Sequence, residues 1–303
     1  MDQDEVRAHL TGPVSSVVMP FNKDGSVDDD GLRNFVDASI AGGSRSIILT
    51  AGDSHYCCMT HEEIAHVTKV TCEHTAGRAL VVAADYFYGT ALAVEFAKFA
   101  KAEGADIYML LPATWASGVT EESLSDHFAA VGEIMPVMAV TALFHGFSDQ
   151  FALNTLRLAL EKSTNMVAIK DDRGGSFVQD MCLQFNERCA IFAGGSKRHH
   201  LLMMPFGCDG YMSKFVTFRP ELSDRYWNAV VANDLATMRE VLRDYELPLW
   251  EYMKAIPEGW NAGSHALLEA YGIGQRWRRP PYTSIDDETM EKFVEFLKSR
   301  KML

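Results

Sequence analysis

Six cysteines stand in 303 residues, and no two of them form a C-x-x-C pair, so neither a disulfide framework nor a structural zinc site is indicated. Positive charge is scarce. The chain has 28 Lys and Arg against 41 Asp and Glu, a net charge of −13 at pH 7. It lacks the clustered basic stripe that phosphate neutralisation requires, which excludes nucleic acid as an expected partner. No apolar run is long enough to cross a bilayer, and the N-terminal MDQDEVRAHLTGP has neither the basic region nor the continuous apolar stretch of a signal peptide. A cytoplasmic protein with no membrane partner is expected. A Gly-rich phosphate turn is also missing: MPFNKDGSVDDDG follows the first apolar run, which counts against an open, doubly wound nucleotide-binding sheet.

What the sequence does contain is a period. Eight short apolar runs, at 14–21, 44–51, 79–85, 106–111, 136–143, 166–170, 190–194 and 210–215, are each followed by a turn and an amphipathic helical pattern. That is the βα repeat of a parallel sheet with crossover helices. Helix signals fall between the runs. Thr60-His61-Glu62-Glu63 is a capping box, Gly42-Gly43 is a stop, and Pro220 suits a first helical turn. The reading is a (β/α)8 TIM barrel over 1–232 with a helical extension over 233–303.

In such a barrel the polar residues at the C-terminal strand ends are the candidates for chemistry. They are Thr50 to His55, Asp85-Tyr86, Thr141 with His145 beyond it, Lys170-Asp171, Gly194-Gly195-Ser196, and Ser213-Lys214 with Thr217 beyond. Lys170 stands out as the only charge in Met166-Val167-Ala168-Ile169-Lys170, ahead of the polar turn Asp171-Asp172-Arg173-Gly174-Gly175. An amine at the end of a buried strand is placed to lose its proton and attack a carbonyl. The plainer reading is an ion pair with Asp171 or Asp172 that only ends the strand.

These segments carry a resemblance. The opening GPVSSVVMPFNKDGSVDDDGLRNFV resembles the G-x-x-x-A-x-x-T-P-F-x-x-D-G-x-I-D start of the dihydrodipicolinate synthase and N-acetylneuraminate lyase superfamily, with Met19 at its threonine. IKDDRGG is similar to its I-K-D-S-S-G-D, FGCDGYMSKFVTFRP to its G-A-x-G-x-I-S-x-x-x-N-x-x-P, and Arg278 to Pro281 to its R-x-P-L. The resemblance covers nearly the whole chain. It implies a class I aldolase or dehydratase acting on a 2-oxo acid such as pyruvate or a sugar-derived keto acid, with Lys170 as the Schiff-base lysine. It also implies no metal or organic cofactor, and a homotetramer built as a dimer of dimers.

The resemblance fails at the proton relay. Where the family carries Y-N-x-P, this chain places Val140 at the tyrosine, and valine cannot move a proton. The family's P-Y-Y tyrosines become Pro112-Ala113-Thr114, followed by Trp115. Its G-T-T-G-E turn, which holds the keto acid's carboxylate, corresponds to Ala51-Gly52-Asp53-Ser54-His55. An aspartate aimed at that carboxylate would repel it. Either Asp53 points elsewhere, capping the next turn for instance, or the ligand is not a plain 2-oxo acid. His145 and His55 are the candidates to replace the tyrosine. Gly52, Asp53, Ser54, Thr141, Gly195 and Ser213 are the candidate substrate contacts, while His199 and His200 read as solvated or packing residues. The expected activity is a lyase distinct from dihydrodipicolinate synthase. The alternatives are a hydratase-aldolase with a bulkier or aromatic substrate and a non-catalytic 2-oxo acid binding protein.

Overall fold

The structure is a computed structural model that describes residues 3–86, 89–111, 118–144 and 146–303. After α1 (Gln3–Leu10), eight parallel strands follow in order: β1 (Gly12–Ser16), β2 (Ser46–Ile48), β3 (Leu80–Ala84), β4 (Ile107–Leu110), β5 (Val137–Val140), β6 (Met166–Asp171), β7 (Ala190–Ala193) and β8 (Gly210–Met212). Each pairs with the next, and β8 returns to β1, closing the barrel. Almost every strand residue is buried. That is why the strands read as unbroken apolar runs and not as alternating ones: one face fills the barrel and the other meets the helices.

The crossover helices are α2 (Asp29–Ala41), α3 (His61–Thr75), α4 (Thr90–Ala102), α5 (Glu121–Gly132), α6 (Asp149–Lys162), α7 (Phe177–Phe185) and α8 (Lys197–Met203). The short α9 (Phe215–Phe218) and α10 (Pro220–Val231) follow β8. The local signals act where they were read. Thr60 and Glu63 close a reciprocal capping box on α3, the Gly42 N–H caps the end of α2, and Pro220 opens α10. Cys72, Cys182 and Cys189 are buried free thiols, and Cys57 is exposed. No described helix is long and apolar enough to cross a membrane.

The strands are shorter than the apolar runs. Val17, Val18 and Met19 continue the first run and are buried, but they lie beyond β1. They line the path from strand to helix, where the Val17 N–H still donates to the Ile48 carbonyl at 2.9 Å. Position 232 falls in the turn after α10.

The tail begins with α11 (Leu235–Val241), which runs through a wide π turn (Leu242–Glu246) into α12 (Leu247–Ala255). Pro248 supplies a cause. It has no N–H to give and its ring crowds the carbonyl four residues back, so the helix widens ahead of it. The tail ends in α13 (Trp260–Ala270) and α14 (Asp287–Ser299). The π turn and α12 carry Glu246, Leu249, Trp250 and Met253 over the C-terminal ends of the strands, beside Trp260 of α13.

Candidate active site

Lys170 is the fifth residue of β6 and is 6% exposed. Its neighbours in register are Val140 on β5 and Phe192 on β7, so two apolar side chains flank it in the barrel wall. Burial of an ammonium requires a partner. Asp172 supplies it through a direct ion pair with the amine. Of the two carboxylates that follow the lysine, the second is therefore its partner. Room for the pair comes from Gly194 at the end of β7. A Cβ there would overlap the Asp172 carboxylate and lie 2.6 Å from Lys170 Nζ.

Asp171, fully buried, faces other groups. It accepts hydrogen bonds from Thr141 Oγ1 at 2.5 Å and from the backbone N–H of Gly174 at 3.1 Å, and pairs with His199 Nε2 at 2.7 Å. Burial would push this carboxyl's pKa up, but the bonds from His199 and Thr141 bring it below the ordinary value. Thr141 Oγ1 also accepts the N–H of Asp172 at 3.0 Å. The threonine expected to touch substrate thus holds the turn that carries Asp172. His199, read as solvated or packing, instead closes a buried carboxylate pair, and His200 packs with Tyr226 at 3.0 Å.

A second charged group lies at the mouth. Asp53 Oδ2 accepts from Ser16 Oγ at 2.6 Å, and its other oxygen is 3.5 Å from Lys214 Nζ. Burial raises the Asp53 pKa, yet the charge of Lys214, the Ser16 hydrogen bond and the charge of Lys170 together leave it below the usual carboxylate value. It is an anion held by Ser16 beside Lys214. It does not cap the turn after β2, where its own N–H bonds Thr50 Oγ1 at 2.9 Å.

A third lysine closes the group. Lys197 is 1% exposed, its amine 3.0 Å from Ser213 Oγ, 3.2 Å from Glu246 Oε2 and 4.3 Å from the Phe215 ring centroid. Burial lowers its pKa, against the pull of Glu246. Asp53, Lys214, Lys197, Ser213 and Glu246 line one cavity of about 180 Å³, which Gly194 joins to the Lys170–Asp172 pair. Its barrel wall carries Ser16, Asp53, Ser213 and Lys214 beside Met212 and Phe215, and its tail wall carries Leu249, Trp250, Met253 and Trp260 beside Glu246.

His55, Gly52 and Ser54 are placed apart. His55 is 2% exposed, in a left-handed conformation (φ 54°), with its ring 4.9 Å from that of His265 and 5.3 Å from Tyr282. Burial, followed by the charge of Arg278, lowers its pKa to about 4, so it is neutral at pH 7. It lines a separate cavity with Arg278 and Tyr282, together with the exposed Gly52. Ser54 Oγ donates to the Val17 carbonyl at 2.9 Å and accepts the N–H of Thr50, tying β2 to β1. Gly195 is exposed at the rim of the Lys197 cavity. His145, Trp115 and Pro112-Ala113-Thr114 lie outside the described residues.

Sequence reasoning gave no role to Lys197, Glu246, Trp250 or Trp260. Glu246 lies 49 residues from Lys197, and only the fold brings them together. A lysine directly after a strand-end Gly-Gly-Ser was the one local sign.

Comparison with known proteins agrees with this fold. The model of the dihydrodipicolinate synthetase family matches residues 9–300. The 4-hydroxy-tetrahydrodipicolinate synthase of Aromatoleum aromaticum is 26% identical over 292 residues, 94% of this chain and 96% of the relative. A probable 5-dehydro-4-deoxyglucarate dehydratase of a Bradyrhizobium species is 28% identical over 254 residues, 82% of this chain and 79% of the relative. Among solved structures, dihydrodipicolinate synthase from Bacteroides thetaiotaomicron superposes with a TM-score of 0.85 at 18% identity, covering 96% of this chain and 98% of that one. N-acetylneuraminate lyase from Fusobacterium nucleatum gives 0.81 at 16% identity, over 96% and 99%. With the family model matching 292 of its residues, the chain belongs to the dihydrodipicolinate synthetase family, as a divergent member of the class I Schiff-base aldolase superfamily.

Proposed function

We propose that the protein is a lyase of the aldolase or dehydratase type that binds a 2-oxo acid as a Schiff base on Lys170. The observation that carries this reading is the buried Lys170 amine in direct contact with Asp172 beside the cleared space at Gly194. Asp172 takes a proton from the ammonium. The freed amine adds to the keto carbon and passes its surplus proton to the oxygen, giving a carbinolamine; Asp172 then returns the first proton to that hydroxyl, the C–O bond breaks, and water leaves. The product is a protonated imine. It draws electrons from the neighbouring carbon, where a carbon–carbon or carbon–oxygen bond then breaks or forms. Acid–base work assigned to a tyrosine in typical members falls here to Asp172, since Val140 has no proton to give.

Two features favour a substrate other than that of dihydrodipicolinate synthase. Val140, the register neighbour of Lys170, is smaller than the tyrosine of typical members, and Trp250 and Trp260 face the cavity with ring centroids 5.5 Å apart. This supports the second reading, a hydratase-aldolase taking a bulkier or aromatic keto acid. The relative described as a probable 5-dehydro-4-deoxyglucarate dehydratase adds sugar-derived keto acids to the panel to be tested. A homotetramer remains the proposed assembly, and the exposed Leu183 on α7 and Leu202 on α8 are apolar surface that it could cover.

Borohydride reduction in the presence of a panel of 2-oxo acids tests the reading. A cognate acid should add its mass at Lys170, and Lys170→Ala should abolish both adduct and turnover. Adducts elsewhere, or none across the panel, would sink the proposal, and efficient trapping without turnover would identify a binding protein.

A further inference from the structure

An aspartate sits where an incoming carboxylate is expected, and Lys214 resolves the conflict. Its Nζ is buried and makes no hydrogen bond, with Asp53 at 3.5 Å as its ion-pair partner among the described residues. That separation exceeds an N–H···O bond. On its other side the amine lies 5.8 Å from the Trp260 ring centroid, a contact that attracts the charge but accepts no directed hydrogen bond. A desolvated ammonium with no acceptor in bonding range is unfavourable, and a carboxylate offered to it gains a charge-assisted bond. Asp53 does not depend on Lys214 for its place, because Ser16 holds the opposite oxygen at 2.6 Å.

The position fits the chemistry. Lys214 and Asp53 line the cavity together with Gly194, and the Lys170 amine lies just behind Gly194. Gly194 is thus the point at which the cavity of Lys214 and Asp53 meets the Lys170 amine. A 2-oxo acid bound through its keto carbon to Lys170 carries its carboxylate one bond away. Like charge at Asp53 then disfavours that group near the turn after β2 and directs it toward β8.

We infer that Lys214 holds the substrate's carboxylate, exchanging its loose contact with Asp53 for a direct bond to the ligand, and thereby selects keto acids over uncharged ketones. This rests on the Schiff-base reading of Lys170. It moves carboxylate recognition from the turn after β2 to the end of β8.

The experiment is borohydride trapping with pyruvate and, separately, with its uncharged methyl ester. In the unaltered protein pyruvate should saturate, and Lys214→Met should raise the half-saturating pyruvate concentration about tenfold or more, as loss of one charge-assisted hydrogen bond predicts. The ester should change by less than about twofold on the same single-contact argument. Lys214→Arg should keep most of the preference. Asp53→Asn, which removes the competing carboxylate without touching the lysine, should lower the half-saturating pyruvate concentration, and it serves if Lys214→Met does not fold. Equal shifts for acid and ester, or no shift in either variant, would overturn the role of Lys214 while leaving the Lys170 reading intact. Failure of the unaltered protein to trap any keto acid would overturn the Schiff-base reading first, and this inference with it.

Discussion

Gly194 has no side chain, and the arrangement at Lys170 depends on that. A methyl group there would enter the space shared by the Asp172 carboxylate and the Lys170 amine, two groups that have nowhere to retreat inside the barrel. Gly194→Ala is therefore expected to slow imine trapping at least tenfold, since a small misplacement of reacting groups has effects of that size or larger, while circular dichroism stays unchanged. Unaltered trapping kinetics would show that the pair is not the reacting one. Lys170 itself was legible because a lone charge in an apolar strand is conspicuous. Its choice of Asp172 over Asp171 was not, because that depends on which carboxylate the turn aims back at the barrel. His55 illustrates the opposite case. Chain position put it at the mouth, but the packing of His265 and Tyr282 draws its ring into a neutral, buried cluster.

The elements were readable to the extent that their signals are local. Eight apolar runs gave eight strands, and the caps of α3 and α10 were visible in a few adjacent letters. Strand ends were read too long, because the connections beyond them are also buried and hydrophobicity does not report pairing. The π turn at Leu242–Glu246 was not legible: one extra residue per turn leaves little trace in a helical pattern. Yet that turn brings Glu246 to the Lys197 amine and to the N–H of Arg198 at 3.3 Å. Removing the carboxylate would leave an uncompensated ammonium in the interior, so Glu246→Ala should destabilise the protein by about 3–5 kcal/mol in denaturant unfolding. The paired change Glu246→Leu with Lys197→Met should recover most of that loss. A single variant as stable as the unaltered protein would mean that Lys197 finds solvent without its partner.

For the molecule as a whole, barrel closure and the tail's existence followed from the period and the length of the chain, but the covering of the mouth by the tail did not. Stability also carries a term no pattern predicts. Asp85, at the end of β3, is fully buried and accepts a hydrogen bond from Tyr108, and burial raises its pKa from 3.8 to about 7. In the unfolded chain this carboxyl ionises near 3.8, whereas the folded one holds its proton to about 7. Between those values the unfolded state binds fewer protons, and stability falls as pH rises. The penalty is absent below that window and complete above it. Asp85→Asn should thus leave unfolding nearly unchanged at low pH and stabilise by a few kcal/mol above neutrality, in order of magnitude. A benefit independent of pH, followed by chemical denaturation across the range, would remove the assignment. The division of the cavity into a barrel wall and a tail wall has a further outcome. On the proposed reading, the barrel supplies the reacting amine and the tail the ligand's surroundings, so substitutions in α12 and α13 would retune which ligand fits while Lys170 stays untouched.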